Sequence, residues 1–203
     1  MVVMMMAVDM WFDPSCPYTW LTSRWLVEVS RVREVEVRWH VMSLSVLNEG
    51  REDDPEGDPE GYLWVPARIC AAVRKTHGQE ALGRFYTALW TTGGGDWLVD
   101  LRTALETADL PHDLVEAGMG HDYDDELRAS TAEALQHVGG NQVGTPIVAV
   151  TGRTAFFGPV ISQVPTGEDA GRLWDGVLLV AGTPGFHELK GGPPLQPKPY
   201  EAH

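Results

Sequence analysis

Cys16-Pro17-Tyr18-Thr19 is the stretch of this chain best suited to thiol chemistry. Upstream, Val8-Asp9-Met10-Trp11-Phe12 reads as a largely apolar strand. Downstream, Leu21, Trp25, Leu26 and Val29 recur at helical spacing. The thiol therefore falls at a strand-to-helix junction, where the first helical turn has unpaired N–H groups. Those groups and the helix dipole favour negative charge. That setting predicts a stabilised Cys16 thiolate, the reactive form of the thiol. Pro17 suits the first helical position, because its missing N–H would be unpaired there anyway. The motif is like a redox Cys-x-x-Cys in which Thr19 holds the place of the second cysteine. Thr19 lies one turn on and can face Cys16. Its hydroxyl could donate to the thiolate and so lower the pKa of the thiol. Cys16 is thus the candidate nucleophile, against the alternative of a small buried hydrophobe. For Thr19 the alternative is an ordinary helix residue.

The neighbouring candidates divide in the same way. Tyr18 either points into the site or packs outward. Trp11, Trp20 and Trp25 suit a core, although an aromatic beside the thiol, Trp11 included, could hold a planar substrate. Asp13 could accept a backbone N–H near the helix start, and it could equally repel the thiolate. Cys70 sits beside Ile69 and Ala71 in a helical stretch and reads as core, with resolving chemistry as its second reading. The histidines are scattered and show no metal-ligand spacing with cysteine. His121-Asp122-Tyr123-Asp124-Asp125-Glu126 lacks the central glycine of a calcium loop. Gly93-Gly94-Gly95 lies between helical stretches, not after a strand, which argues against a phosphate loop. No metal and no tightly bound cofactor is expected.

Composition narrows the partners. The formal net charge of −14 over 203 residues argues against nucleic acid, whose binding needs a basic surface. Two cysteines are no disulfide framework and point to a reducing, cytoplasmic setting. The apolar start lacks the basic region and cleavage site of a signal peptide. No run approaches the ~18 apolar residues that span a bilayer. No membrane partner is expected.

The elements that must position Cys16 follow from periodicity. A first strand is predicted over residues 2–12, a helix over 17–31 and a second strand over 35–42, where Val35, Val37, Trp39 and Val41 alternate with polar residues. An acidic, Gly/Pro-bearing loop follows at 48–61 and reads as mobile and exposed. From about 63 to 138 the signal is helical: one helix ending near His77-Gly78, a second at 80–90, a third capped by Asp96, a short helical turn at 112–118 and a last helix at 122–138. Strands return at 147–150 and 155–157 around the Gly152-Arg153 turn, followed by a helix over 166–180. The order β-α-β, helical block, β-β-α predicts an α/β layer fold, because neither flank of the block buries its apolar faces alone. The predicted units are a discontinuous α/β domain (1–48 and 140–190), a helical insertion (49–139) and a flexible tail (191–203).

This order, with Cys16-Pro17 opening the first helix and Gly144-Thr145-Pro146 before the third strand, resembles the thioredoxin fold in its DsbA-like form. Trp11-Phe12-Asp13-Pro14, Thr22-Ser23-Arg24-Trp25, His40-Val41-Met42-Ser43-Leu44, Leu47-Asn48-Glu49 and Phe156-Phe157-Gly158-Pro159-Val160 resemble the actinobacterial mycothiol-dependent oxidoreductases and nitroreductases. Kappa-class glutathione transferases and 2-hydroxychromene-2-carboxylate isomerases form a related group, with serine at the position of Cys16. The resemblance implies a cis Thr145-Pro146 bond, with Thr145 offering its backbone to an extended ligand. It also implies a thiol-binding site at Pro17, Tyr18, Thr145 and Pro146, and a low-molecular-weight thiol, mycothiol or glutathione, as cosubstrate. The chain departs from the dithiol members at Thr19, where they carry their second cysteine. Three functions follow. One is a monothiol oxidoreductase acting on a disulfide or an electrophile. Another is a kappa-like transferase or isomerase in which the bound thiol is the nucleophile. The last is a non-catalytic binding protein. A homodimer would follow from an exposed apolar face on the insertion.

Overall fold

The computed structural model describes residues 5–53, 55–93, 97–140 and 143–200. Strand β1 (Met6–Phe12) is central to a four-stranded sheet with order β2-β1-β3-β4, formed with β2 (Val35–Val41), β3 (Ile147–Val150) and β4 (Thr154–Phe157). β1 runs parallel to β2 and antiparallel to β3, and β3 runs antiparallel to β4. β1 begins at Met6; residues 2–4 of the predicted strand lie outside the described residues.

Period-two geometry sends alternate side chains to opposite faces, and here both faces are covered. Val8, Met10 and Phe12 of β1, with Val148 and Val150 of β3, enter the larger core. There they meet helix α1 (Pro17–Val32) and helix α6 (Gly167–Ala181) through Leu21, Trp25, Leu26, Val29 and Trp174. Trp11, Ile147 and Ala149 enter a smaller cluster with Met42 and Ala134, under helix α5 (Asp124–Val138). Two-sided burial explains why β1 and β3 are almost continuously apolar.

Between β2 and β3 the chain forms α2 (Leu44–Leu47), α3 (Trp64–Thr91), α4 (Trp97–Thr107), a 3-10 helix (His112–Gly118) and α5. α2 has no counterpart in the periodicity, because four residues are too few to show a period; Ser43 caps it, its Oγ accepting the Val46 N–H at 3.3 Å. α3 holds the two helices expected at 63–77 and 80–90, joined through Gly78 at φ 84°, ψ 179°. That φ is open to glycine and costly for other residues. Asp96, the expected cap of α4, lies outside the described residues, as do Gly94 and Gly95. α4 ends at Thr107.

The acidic loop is partly structural. Asp58 accepts the N–H groups of Tyr62 and Leu63, both at 2.8 Å, and so fixes the entry to α3. Asn48 Nδ2 donates to Glu56 at 2.8 Å across the same loop. Residues 191–200 carry no regular structure, yet they are tied back to the fold. The Lys198 N–H donates to the Ser162 carbonyl at 2.9 Å, and the Tyr200 hydroxyl donates to buried Glu28 at 2.7 Å.

Candidate active site

Cys16 is the N-cap of α1, with extended backbone (φ −84°, ψ 115°) and Pro17 at the first helical position. Its carbonyl accepts the Trp20 N–H at 3.1 Å, and its own N–H donates to the Asp13 carbonyl at 3.3 Å, closing a tight turn over Pro14 and Ser15. The half-buried sulfur lies at the helix start without accepting a capping hydrogen bond, and the Thr19 hydroxyl and the N–H groups of Thr19 and Tyr18 act to lower its pKa. All three favour the thiolate, as expected for a helix start. Burial works against them and is the larger influence, and the negative charge of Asp13 adds to it; the Cys16 thiol is pushed above its usual 9.0. The sequence-based expectation of a depressed pKa is therefore corrected. Removal of the sulfur from water outweighs the helix start.

Asp13 explains how the surrounding loops are held. Its side chain is 3% exposed and accepts two backbone N–H groups, from Ser15 at 2.8 Å and from Leu44 at 2.7 Å. One carboxylate thus ties the Cys16 turn to the start of α2. Burial is the stronger influence here too: it raises the Asp13 pKa from 3.8 to about 6 against those two donors. A carboxyl that binds its proton more tightly when folded makes stability fall as pH rises through its folded pKa. The interval between 3.8 and about 6 corresponds to about 3 kcal/mol at most. Wild-type protein is therefore expected to gain stability relative to Asp13→Asn as pH falls from 7 to 5, read from urea midpoints at several pH values. Asn cannot titrate, and its lost acceptor gives a pH-independent offset. Parallel stability–pH curves for the two proteins would refute the assignment.

Thr145 completes the floor of the site. Its Oγ1 accepts the Asp13 N–H at 3.1 Å and lies 3.2 Å from Thr19 Oγ1. Thr19 is 0% and Thr145 5% exposed, so the two hydroxyls meet away from solvent. The Thr145–Pro146 bond is cis, as is Gly158–Pro159. The Pro146 carbonyl accepts the Gly158 N–H at 2.9 Å, and the Pro159 carbonyl accepts the Thr22 hydroxyl at 2.7 Å. Both proline loops are in this way anchored near the first turns of α1.

An aromatic wall rises beside the Cys16 turn. Trp20 stacks on Trp90 of α3 at 5.5 Å between centroids and 7° between planes. Trp90 Nε1 donates to the Pro14 carbonyl at 3.1 Å. The buried Arg24 guanidinium lies 4.1 Å over the Trp20 ring and donates to Ser23 Oγ and Thr87 Oγ1, each at 3.1 Å. Tyr86 stacks on Phe12 at 3.8 Å and meets Trp20 edge-on. This packing joins the helical insertion to the Cys16 turn. Sequence reading did not single out Trp90, because the hydrogen bond that fixes it spans 76 residues and leaves no local signature.

The structure brings the Cys16 turn, Thr19 and the Thr145–Pro146 loop together, turns the Tyr18 hydroxyl outward, and separates Trp11 from them. Trp11 is 1% exposed on the opposite sheet face, packed between His40 (4.6 Å) and His137 (4.9 Å). Alternation along β1 sends Trp11 away from the face that Phe12 shares with Trp20 and Tyr86, so its expected place at the thiol site is corrected. Tyr18 is directed toward the C-terminal segment, its hydroxyl donating to the Leu195 carbonyl at 3.2 Å. Cys70 is fully buried, and burial pushes its thiol well above the ordinary range. An open cleft of about 370 Å³ lies elsewhere, in the insertion, lined by Pro66, Leu89, Thr92 and Leu101 among others. Among the described residues no three His, Cys, Asp or Glu side chains converge as a metal site. No described helix is long and apolar enough to cross a membrane.

Comparison with known proteins agrees with this geometry. The family described as the Rv2466c-like mycothiol-dependent nitroreductases matches residues 15–191. The uncharacterised protein Rv2286c of Mycobacterium tuberculosis is 31% identical over 194 residues, covering 92% of this chain and 82% of that protein. Among solved structures, the probable DsbA oxidoreductase SCO1869 from Streptomyces coelicolor aligns with a TM-score of 0.54 at 17% identity, covering 92% of this chain and 100% of that one. A thioredoxin-like oxidoreductase from Silicibacter pomeroyi aligns with a TM-score of 0.50 at 20% identity, over 85% and 84% of the two chains. The fold is thus thioredoxin-like with a helical insertion, in the DsbA-like form.

Proposed function

This chain belongs to the Rv2466c-like mycothiol-dependent nitroreductase family, and from that premise we propose that it is an oxidoreductase working through the single sulfur of Cys16 with a small thiol, mycothiol, as cosubstrate. In the first step the Cys16 thiolate attacks a substrate disulfide, forming a Cys16 mixed disulfide and releasing one thiol. In the second step a free small thiol, as its thiolate, attacks the outer sulfur of that adduct. A small-molecule disulfide leaves and the Cys16 thiolate returns. Where the substrate is a mixed disulfide with the small thiol and Cys16 takes the small-thiol sulfur, one turnover converts that disulfide and one free small thiol into the substrate thiol and the symmetrical small-thiol disulfide, and no second protein thiol is needed. A reducing cytoplasm would keep the small thiol available.

The observation that carries this reading is the pairing of Cys16 with Thr19. The half-buried sulfur stands at a helix start as the N-cap of α1, and the position one turn on holds a hydroxyl instead of a thiol. The protein's other cysteine, Cys70, is fully buried. A second reading has one specific observation in its favour. Burial holds the resting Cys16 above its usual pKa, which suits a transferase or isomerase in which the bound small thiol is the nucleophile and Cys16 positions it.

Intact-mass measurement after exposure to mycothiol disulfide and, separately, glutathione disulfide separates the two. The oxidoreductase reading expects one adduct that is absent in Cys16→Ser and reversed by free thiol, with mycothiol disulfide preferred. Thiol-dependent turnover without any Cys16 adduct would replace it with the transferase reading. Ligand binding with neither adduct nor turnover would leave a binding protein.

A further inference from the structure

The C-terminal segment returns to the Cys16 motif and is fastened along α1 at both ends. Past Gly191 and Gly192, which have open space at their Cβ positions, the sequence runs Pro193-Pro194-Leu195-Gln196-Pro197-Lys198-Pro199-Tyr200. The Leu195 carbonyl accepts two hydroxyls, from Tyr18 at 3.2 Å and from Ser162 at 2.8 Å. The Lys198 N–H donates to the Ser162 carbonyl at 2.9 Å, and the Lys198 ammonium donates to Gln163 at 2.8 Å. The Tyr200 ring packs against the larger core while its hydroxyl donates to Glu28 at 2.7 Å. Tyr18 and Glu28 lie about 15 Å apart along α1. An extended stretch from Leu195 to Tyr200 covers that distance at about 3 Å per residue. Its prolines favour the extended form and lower the entropy lost in fixing it. The segment lies past residue 191, where the family match ends.

A line of hydrogen bonds and short loop links then runs from the cis-proline to the motif. The Pro146 carbonyl holds Gly158, the Pro159 carbonyl holds Thr22, Ser162 holds Leu195, and Leu195 holds Tyr18, which follows Cys16-Pro17 directly. Leu195 is 71% exposed, so its carbonyl and not the burial of its side chain keeps it there. We propose that residues 193–200 are a specificity strap. Fastened to Tyr18 and Ser162, they close one flank of the Cys16 site, so that a small-molecule disulfide reaches the sulfur and a disulfide on the surface of a folded protein does not. The strap opens only when its anchors part, and a large partner must wait for that open form. This deepens the functional reading by naming the substrate class, and it rests on Cys16 being the reacting sulfur.

The test compares two reagents on the full-length protein: N-ethylmaleimide, and a maleimide carried on a lysine of folded ubiquitin. The modified cysteine is assigned by peptide mass. Ser162→Ala removes one hydroxyl from the Leu195 carbonyl, and Tyr200→Phe removes the far anchor while keeping its ring. Each should raise the rate of Cys16 modification by the carrier-borne maleimide by about two- to tenfold, the worth of one hydrogen bond. Opening the strap breaks both anchors, so the double variant should gain the product of the two single effects. The N-ethylmaleimide rate should stay within about twofold of wild type throughout. A general loosening of the fold, or a change in Cys16 ionisation, would move both reagents alike. The proposal is overturned if the double variant reacts with the carrier-borne maleimide no faster than wild type, or if both reagents speed up by the same factor. The single variants decide the same question if the double variant fails to fold. Alkylation needs no disulfide exchange, so the two readings fail separately. A size gate without a mixed-disulfide adduct would fault the functional reading and leave the strap in place; an adduct without a size gate would do the reverse.

Discussion

Thr19→Cys is expected to convert the site from one that needs an external thiol into one that resolves its own mixed disulfide. Thr19 is buried one turn after Cys16, in the first turn of the same helix. Residues three apart on a helix bring their Cβ atoms to about 5–6 Å, close to the range a disulfide spans. A thiol at position 19 would attack any Cys16 adduct as an intramolecular reaction. The gain from fixed proximity is large, and the adduct lifetime should fall by about a hundredfold or more. Mild oxidation should then give an internal disulfide, visible as the loss of two titratable thiols per chain. Wild type should instead lose one and carry the small-thiol adduct. If Thr19→Cys accumulated adduct as wild type does, the two positions would not face each other as the structure has them.

The second large effect concerns the scaffold that carries the sulfur. Trp25 is fully buried in the middle of α1, and its Nε1 donates to the Ala170 carbonyl of α6 at 3.1 Å. Its ring lies 5.9 Å from Trp174 at 56°. This pair joins the Cys16 helix to the last helix over one face of the sheet. Trp25→Ala should cost about 3–5 kcal/mol, out of a total stability of about 5–15 kcal/mol for a typical protein. Trp25→Phe keeps most of the buried area and loses the hydrogen bond, so it should cost less than half as much. Urea unfolding checks both. A Trp25→Ala variant within about 1 kcal/mol of wild type would mean that α1 is held chiefly elsewhere.

These effects also mark what the sequence could disclose. α1 was legible because its apolar spacing, Pro17 and the preceding strand are local signals. The break at Gly78 was legible as two helices meeting, since a glycine after His77 interrupts the pattern. β1 was legible as a strand, but the destination of each face was not: Trp11 and Phe12 are adjacent, and only the packing of α5 and α3 decides which lies near the thiol. The ionisation of Cys16 was misjudged for a related reason. A helix start is a local feature, whereas the burial around the Cys16 turn involves Thr145 and the aromatic wall of α3, which arrive from distant parts of the chain. The link between Trp90 and Pro14 has the same origin.

The solitary placement of the Cys16 sulfur bears on how this protein would fare under oxidative stress. A peroxide would convert the Cys16 thiolate to a sulfenic acid. Enzymes with an adjacent thiol trap that species at once as an internal disulfide. Here the adjacent group is the Thr19 hydroxyl, and Cys70 is sealed in the core. The sulfenic acid must meet a small thiol before a second peroxide, or it advances to the irreversible sulfinic form. The small-thiol pool would therefore act as the protein's safeguard as well as its reductant, and the working lifetime of the site would follow the abundance of that pool.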